Sequence, residues 1–510
     1  MIASIPSAIL LGVDGSPVSV EVHISSGIPG FNIVGLPDAA VRESRDRVRA
    51  ALLTSGFKWC SNRVTVNLAP SAVRKAGAAL DLPIAIGMLA ASGQVDRALV
   101  EGHSFFGELG LDGSLREFPG VISLVSACDA TKAVVPASCL REASVIPTRE
   151  VHGATSLKQL VRALKGEEEW SATESIDGSQ IVDAGINGCY LDLADVRGQA
   201  VGRRAVEIAA AGGHHLLMVG PPGSGKTMLA SRLPGVLPSL SYDESLEVAR
   251  IYSASGSPVE WDVLPSRPSL RAPHHTATSV SIVGGGSSWL RPGEISLAHL
   301  GVLFLDELGE FPRIVLDSLR EPLEDGLVRI SRAKVSAVLP ARFLLVAATN
   351  PCPCGEGMTP GSCRCSRSAR ERYLARLSGP LLDRFDLSIS LAKPQVDELL
   401  SIAPGEPSSI VAFRVSMARE IARDRGVACN SRIPSWALEQ LAPLTPEAMG
   451  LIERRLRSGV LSARGMDSVR RVALTIADLA GENPPVKVEH VAEALQLRAA
   501  RAMFNAEQLR

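Results

Sequence analysis

A glycine-rich stretch after the apolar run Leu216–Val219 has the residue types needed to hold phosphate groups. It matches the pattern G-x-x-x-x-G-K-[ST], and its residues are Gly220, Pro221, Pro222, Gly223, Ser224, Gly225, Lys226 and Thr227. Glycines allow backbone N–H groups to converge on phosphate oxygens, while Lys226 places a positive charge on the β- and γ-phosphates. Thr227 offers a hydroxyl to Mg²⁺, and the helix that follows from Met228 directs its positive end at the anion. We therefore predict that these residues, with Met228, bind ATP and Mg²⁺.

Three further polar residues follow apolar runs, where they could complete a hydrolytic site. Asp306 and Glu307 end the run 301–305, and Asn350 comes shortly after the run 343–348. Asp306 is expected to hold Mg²⁺, directly or through water, and Glu307 to polarise the attacking water. Asn350 could orient that water beside the γ-phosphate, although an asparagine at a strand end is more often a turn residue.

Two arginines could supply positive charge to the same reaction. Arg384 follows an apolar turn within residues 379–386, where an arginine usually forms a surface ion pair. The functional alternative is an arginine finger that stabilises transition-state charge on the ATP of a neighbouring subunit. Arg464, within the segment 462–465, could reach the same γ-phosphate, and Arg471 lies seven residues later on the same helix face.

Four of the nine cysteines are close together in sequence and could bind a metal ion. Cys352, Cys354, Cys363 and Cys365 have the spacing C-x-C-x₈-C-x-C. Four thiolates can hold a structural Zn²⁺ tetrahedrally, but the C-x-C spacing is tighter than the usual C-x₂₋₄-C. The sequence leaves open both a zinc site and four reduced thiols in a loop. The other five cysteines are scattered singly, which is not the pattern of a disulfide framework.

The composition of the 510-residue chain bounds the class of protein. An apolar fraction of 46% is ample for buried cores, and the length suggests about three domains. The formal net charge is −1, so a nucleic-acid partner would have to be bound by local basic loops. No apolar run approaches the length of a membrane span, and the N-terminus lacks a charged segment before an apolar one. We expect a soluble, cytoplasmic protein.

The elements around these residues divide the chain into predicted units. Residues 1–165 mix short patterns of both kinds, which predicts an α+β domain. Its predicted elements are strands over 18–24, 64–68 and 104–111, a helix capped by Asp38 that ends before Gly56, and a buried helix over 82–91. Residues 166–191 are polar and acidic at their start and form the predicted linker.

The remaining two units differ in pattern. Residues 192–395 follow the strand–loop–helix order of an α/β domain. Residues 391–409 contain three prolines and are predicted to be a second connection. Residues 396–510 form the predicted helical unit, with helices over 410–425, 434–441, 447–463, 466–481 and 488–501.

Taken together, these residues resemble the AAA+ superfamily and, within it, the ComM/YifB family of the magnesium-chelatase-like branch. The resemblance covers nearly the whole chain and is carried by several segments in a fixed order. Besides the phosphate loop, these are Asp195-Val-Arg-Gly-Gln199, Arg271-Ala-Pro-His-His275, Arg291-Pro-Gly-Glu294, Asn350-Pro-Cys-Pro-Cys354, Leu381-Leu-Asp-Arg384-Phe-Asp386, and Leu461-Ser-Ala-Arg464-Gly with Thr475-Ile-Ala-Asp-Leu479.

The resemblance implies an AAA+ P-loop fold, with a five-stranded parallel sheet and a helical lid. It also implies a ring, expected to be a hexamer, with ATP between subunits. It assigns Asn350 as sensor 1, Arg384 as the arginine finger and Arg464 as sensor 2. The family usually has another basic residue between the two lid arginines. This chain has Ser468 there, so Arg464 is a better assignment for sensor 2 than Arg471.

Two insertions typical of this branch contain further polar residues. One is a hairpin before sensor 1, here residues 327–336, in which Arg329, Arg332 and Lys334 would point outward. In a ring these side chains could contact DNA phosphates in a pore, or they could simply form a solvated face; the sequence leaves both open. The other insertion begins with His274 and His275, which we expect to be hydrogen-bonding loop residues.

The first unit is implied to have the ribosomal S5-like fold of the Lon protease domain. Alignment places Ala79 where Lon has its nucleophilic serine and Ile122 near the position of its lysine. Alanine has no nucleophilic oxygen, and isoleucine cannot accept a proton. We therefore expect a non-catalytic accessory or substrate-engaging domain.

ATP hydrolysis is the expected activity, and it could drive any of three different functions. The resemblance implies a DNA helicase that drives branch migration in recombination during natural transformation. The alternative is a chelatase-type remodelling ATPase that acts through a partner protein. A third alternative, an ATP-dependent protease, is disfavoured by Ala79.

Overall fold

The N-terminal part of the chain is a mixture of strands and helices, as its sequence predicts. The computed structural model describes residues 1–71, 75, 77–146, 149–171, 191–257, 259, 264–286, 290–331, 336–357, 362–400 and 405–504. The first strands are β1 (Ile2–Leu11), β2 (Asp14–Ser25), β3 (Gly30–Val34), β4 (Arg63–Ala69), β5 (His103–Phe105), β6 (Glu108–Leu109), β7 (Leu115–Arg116), β8 (Lys132–Pro136) and β9 (Glu150–Ala154). The first helices are α1 (Ala39–Thr54), α2 (Asp81–Ala91), α3 (Arg97–Val100), α4 (Val121–Ala127), α5 (Leu140–Ser144) and α6 (Leu157–Leu164).

Local sequence explains most of these elements. The buried residues of β2 alternate with more exposed ones, and Asp38 caps α1 by accepting a hydrogen bond from the Val41 backbone N–H at 2.9 Å. The continuous strand predicted over 104–111 is wrong, because the backbone changes partner there. Strand β5 pairs with β8, whereas β6 pairs with β7.

A five-stranded parallel sheet forms the centre of the chain, as the resemblance implies. Its strands are β10 (Leu216–Val219), β11 (Leu270–Arg271), β14 (Val302–Leu305), β17 (Leu344–Thr349) and β18 (Leu387–Ser390), in the spatial order β11-β14-β17-β10-β18. All residues of β10, β14 and β17 are buried, as expected for a parallel sheet covered on both faces. Two hairpin-like pairs lie outside this sheet: β12 (Gly284–Gly285) with β13 (Arg291–Pro292), and β15 (Leu327–Ser331) with β16 (Ser336–Pro340).

Helices cover the central sheet and continue into the C-terminal part. Those of the central part are α7 (Ala200–Gly212), α8 (Lys226–Arg232), α9 (Tyr242–Ser255), α10 (Ser279–Val283), α11 (Glu294–Leu297), α12 (Arg313–Ser318), α13 (Arg320–Asp325), α14 (Arg367–Arg376) and α15 (Gly379–Leu382). Those that follow the sheet are α16 (Val396–Leu400), α17 (Ser408–Asp424), α18 (Leu438–Leu441), α19 (Pro446–Arg457), α20 (Ala463–Leu479) and α21 (Val488–Gln496).

The C-terminal part is helical, as predicted, but some helix ends differ: the helix predicted over 488–501 ends at Gln496, and that predicted over 434–441 begins at Leu438. The helix predicted over 447–463 ends at Arg457, because Gly459 adopts a φ of +71°. Ser462 then caps α20 by accepting a hydrogen bond from the Gly465 backbone N–H at 3.1 Å. Arg464 therefore lies in the first turn of α20. Within the described ranges, no helix is both long and apolar enough to cross a membrane.

The N-terminal unit packs directly against the central one through α4 and α9. The backbone N–H of Gly120 donates to the Ser253 carbonyl at 3.0 Å, and the Ile122 N–H donates to the Ser253 hydroxyl at 3.4 Å. Ile122 is fully buried in the same apolar cluster as residues of α9. The residue aligned near the Lon lysine is therefore part of the contact between the two units.

Candidate functional site

The phosphate loop begins where β10 ends, at the carboxyl edge of the central sheet. The Gly220 N–H donates to the Thr349 carbonyl at 3.2 Å, which joins the loop to the end of β17. A Cβ atom at Gly220 would lie 2.5 Å from the Leu391 carbonyl oxygen, so only glycine fits. Gly223 and Gly225 have φ of +78° and +82°, the left-handed conformation that turns a backbone sharply. The loop therefore has the backbone shape that its glycines predict.

Lys226 is buried inside this loop. Its Nζ donates to the carbonyl oxygens of Gly220 and Pro221 at 2.7 and 2.9 Å and lies 3.4 Å from the Asn350 Oδ1. Burial lowers the pKa of Lys226, and the carboxylates of Asp306 and Glu307 oppose that shift. The ammonium group and the side chain of Asn350 are therefore brought together, as a γ-phosphate site requires.

Thr227 and Asp306 also meet at this edge. The Thr227 hydroxyl donates to the Asp306 Oδ2 at 2.8 Å, and the Glu307 N–H donates to the Asp306 Oδ1 at 2.9 Å. Glu307 has a φ of +52°, which is unusual for a residue with a side chain and is typical of functional turns. A hydroxyl and a carboxylate in contact are oxygen ligands suited to Mg²⁺, so this pair fits the cofactor that the loop implies.

The partner of Glu307 was missed in the sequence. His275 Nδ1 lies 3.3 Å from the Glu307 Oε2, and its ring packs against His274 with centroids 4.0 Å apart. His274 is a hydrogen-bonding loop residue, as predicted, with Nδ1 2.8 Å from the Thr276 hydroxyl. Since His275 lies 32 positions before Glu307 and β11 lies next to β14, only the strand order reveals this contact.

A two-point ion pair fixes the segment that carries His275. The Arg271 Nε and Nη2 donate to the two carboxylate oxygens of Glu294 at 2.7 and 2.8 Å. Bidentate pairs of this kind fix orientation as well as distance. Two segments that carried the resemblance therefore contact each other next to the candidate site.

The four clustered cysteines also lie next to the phosphate loop. The Cys352 Sγ is 3.3 Å from that of Cys354 and 3.7 Å from that of Cys363, and all four sulfur atoms lie within 4.8 Å of one another. Tetrahedral zinc with Zn–S bonds of about 2.3 Å requires sulfur atoms roughly 3.8 Å apart, so this donor set fits Zn²⁺. A Cβ atom at Gly355 would lie 2.6 Å from the Pro222 ring, which shows how closely the cysteine loop approaches the phosphate loop.

Arg384 and Arg464 lie near the amino ends of the sheet strands, whereas Lys226 lies at their carboxyl ends. Arg384 lies three residues before β18, which runs parallel to β10. The Asp386 N–H donates to the His215 carbonyl just before β10 begins. Because a four-residue strand is roughly 13 Å long, Arg384 is separated from the phosphate loop of its own chain by about that length. A cleft of about 470 Å³ lies next to these arginines. Its lining residues include Arg342, Arg384, Arg419, Arg423, Arg464 and Arg471.

The two lid arginines have different surroundings. Arg464 is half exposed, and its Nη1 lies 3.3 Å from the Glu324 Oε1. The Arg471 Nε donates to the Ile433 carbonyl at 2.8 Å, so this guanidinium is engaged within its own unit. Arg464 is therefore the more accessible of the two guanidinium groups.

The hairpin formed by β15 and β16 has the alternation that its sequence predicts. Val328 and Ile330 are buried, while Arg329 is exposed. However, the Arg329 Nη1 donates to Glu321 Oε1 and Asp325 Oδ2, both at 2.6 Å, so its charge is balanced within the chain. The other two candidate DNA-binding residues, Arg332 and Lys334, lie outside the described residues.

Three family models match successive parts of the chain. The model described as magnesium chelatase, subunit ChlI, matches residues 192–399, that of subunit ChlI of Mg-chelatase matches residues 20–138, and that of the ChlI C-terminal region matches residues 405–498.

Curated relatives match nearly the full length. The chain is 44% identical to the competence protein ComM of Haemophilus influenzae over 98% of this chain and 97% of that protein. It is 43% identical to the uncharacterized protein YifB of Escherichia coli over 96% of this chain and 95% of that protein. A shorter match, 27% identical, covers 41% of this chain and 25% of a maternal DNA replication licensing factor, mcm6, of Xenopus tropicalis. The chain therefore belongs to the magnesium-chelatase-like AAA+ family, together with ComM and YifB.

Proposed function

We propose that this protein is an ATP-hydrolysing ring motor in which each nucleotide lies between two subunits. The observation that carries the proposal is the position of its charged groups. Lys226, Asp306 and Glu307 lie at the carboxyl ends of the sheet strands. Arg384 and Arg464 lie near the amino ends of the strands. Such an arrangement completes a site for phosphoryl transfer only when the arginines of one copy face the phosphate loop of the next, as in a ring of six.

Each residue then has a specific task in hydrolysis. Residues 220–227, with Met228, would bind ATP, and Lys226 would place its charge between the β- and γ-phosphates. Glu307 would accept a proton from the attacking water, which Asn350 would help to orient. From the neighbouring subunit, Arg384 and Arg464 would stabilise the charge that develops on the phosphoryl group.

Two metal ions fit the residues present. Thr227 and Asp306 would hold Mg²⁺, which when bound supplies positive charge to the phosphate oxygens. Cys352, Cys354, Cys363 and Cys365 would hold a structural Zn²⁺ that fixes the loop against Pro222.

DNA is the partner that we propose for the motor, with branch migration during natural transformation as its role. The supporting observations are the competence protein and the DNA replication factor among the relatives. Since Arg329 is balanced by two carboxylates, Arg332 and Lys334 are the remaining candidates on the hairpin for contact with DNA phosphates. The second candidate function is a chelatase-type remodelling ATPase, which the name of the matching family model favours.

The ATPase rate with different nucleic acids tests the proposal. We expect single-stranded, duplex or four-way-junction DNA to stimulate hydrolysis several-fold, and the double substitution Arg332→Ala/Lys334→Ala to remove that stimulation. Basal hydrolysis should persist in this variant, and light scattering should report the same ring size. If no DNA changes the rate or the oligomeric state, while copurification yields a large protein partner, the chelatase-type alternative is favoured.

A further inference from the structure

Two arginines from different parts of the chain contact one carboxylate oxygen. Glu324 in α13 accepts a hydrogen bond from the Arg384 Nη2, and its same Oε1 lies 3.3 Å from the Arg464 Nη1. Arg384 follows α15, whereas Arg464 lies in the first turn of α20 in the C-terminal helical part. Glu324 therefore joins the two guanidinium groups across the boundary between the sheet domain and the helices that follow it.

Without this carboxylate the two arginines would repel each other. Burial and the nearby charge of Arg464 lower the pKa of Arg384, while Glu324 raises it. The Arg384 side chain is only 11% exposed, whereas Glu324 and Arg464 are about half exposed. Two guanidinium groups and one carboxylate leave an excess positive charge at an accessible surface, which is suited to an incoming phosphate.

The position of Glu324 is itself fixed by its neighbours in α13. Glu321 and Asp325 both bind Arg329 of the adjoining strand β15 at 2.6 Å. At the start of the helix, the Arg320 Nη2 donates to the Ser378 hydroxyl at 3.0 Å. The helix is thus held at both ends, which fixes the backbone of Glu324 next to the two arginines.

We propose that Glu324 is a positioning residue that holds Arg384 and Arg464 at the spacing needed to bind the γ-phosphate of a neighbouring subunit. This inference rests on the proposed function, because it assumes that the two arginines act on ATP bound by another subunit. Glu324 does not contact the nucleotide itself. Its loss therefore lowers the rate of hydrolysis and leaves the affinity for ATP, which the other subunit's phosphate loop provides, nearly unchanged.

The first test is Glu324→Gln in the full-length ring. We expect kcat to fall at least tenfold and the Kd for a fluorescent ATP analogue to change less than threefold. The matched control is Glu453→Gln, which removes an exposed carboxylate from an ion pair with Arg457 in α19 and should keep the wild-type kcat. Thermal unfolding and light scattering show whether each variant is folded and assembled. A folded Glu324→Gln ring with the wild-type kcat would overturn the inference.

The second test mixes subunits. Lys226→Ala subunits bind no ATP but keep Glu324, Arg384 and Arg464, so they should restore hydrolysis at the phosphate loops of Glu324→Gln subunits several-fold. A parallel mixture of Lys226→Ala with Arg384→Ala separates the two hypotheses. If Arg384→Ala is restored and Glu324→Gln is not, Glu324 acts only within its own subunit and the inference is wrong. If neither is restored, the shared nucleotide site of the proposed function is wrong.

Discussion

Lys226 and Arg384 lie at opposite ends of two neighbouring strands in the same parallel sheet. Lys226 follows β10 and Arg384 precedes β18, and these two strands are direct neighbours in parallel pairing. Within one chain the two side chains are therefore separated by about the length of a strand. In a head-to-tail assembly, the arginines of one copy would face the phosphate loop of the next. A closed series of such contacts generates a ring.

Removal of the carboxylate that we assign as general base should stop hydrolysis without preventing ATP binding. We expect Glu307→Gln to lower kcat by about 10² or more, since general-base catalysis typically contributes that much. Equilibrium binding of a fluorescent ATP analogue should be retained. If Glu307→Gln hydrolyses ATP at the wild-type rate, Glu307 is not the base.

His275 should affect the same step more weakly. Because its Nδ1 lies 3.3 Å from the Glu307 carboxylate, we expect His275→Ala to lower kcat by about tenfold with little change in ATP affinity. His274→Ala is the comparison variant, because it removes the ring packed against His275 and the contact with Thr276 but keeps the His275–Glu307 pair. Equal losses of kcat in the two variants would show that the loop, and not the contact with Glu307, matters.

The cysteine cluster should contain one zinc ion per chain. We expect metal analysis of the purified protein to find zinc, and Cys363→Ser to lose it together with several degrees of melting temperature, since structural zinc contributes directly to folding. Cys60→Ser is the control, because Cys60 lies outside the cluster. A wild-type protein that contains no zinc when purified without chelators would contradict this assignment.

Glu142 should make the contact between the N-terminal and central units sensitive to pH. Burial raises the pKa of Glu142 from about 4.5 to about 7, and Ser253 of α9 is its hydrogen-bonding neighbour. Between these two pH values the folded protein binds a proton that the unfolded chain releases. Stability therefore falls as the pH rises from about 4.5 to about 7.

Glu142→Gln tests this dependence. We expect the variant to unfold at a higher temperature than the wild type above pH 7 and to have a flatter melting profile between pH 5 and pH 7 (roughly the window set by that shift). Glu420→Gln, at an exposed position of α17, should leave the profile unchanged. A Glu142→Gln profile parallel to that of the wild type would contradict the buried-acid interpretation.

Local pattern was sufficient for the elements that build the nucleotide site. An apolar run followed by two acids predicted β14 with Asp306 and Glu307, and the glycine spacing predicted the turn before α8. These predictions needed only neighbouring residues. The helix predicted over 447–463 was wrong because the left-handed Gly459 interrupts a sequence that otherwise keeps its helical period.

Contacts between distant segments could not be predicted in the same way. The meeting of His275 with Glu307 depends on β11 lying beside β14, and the shared contact of Arg384 and Arg464 with Glu324 depends on how α20 packs near α13. Strand order and helix packing are set by the whole core. The spacing of these residues along the chain does not contain that information.

The most direct test of the shared nucleotide site is to mix Arg384→Ala subunits with Lys226→Ala subunits and measure ATP hydrolysis. Each variant alone should be nearly inactive. In the mixture, an intact Lys226 from one subunit can meet an intact Arg384 from the next, so we predict that activity returns in proportion to such interfaces. If the mixture stays as inactive as its components while light scattering shows mixed rings, Arg384 does not act on a neighbour's ATP.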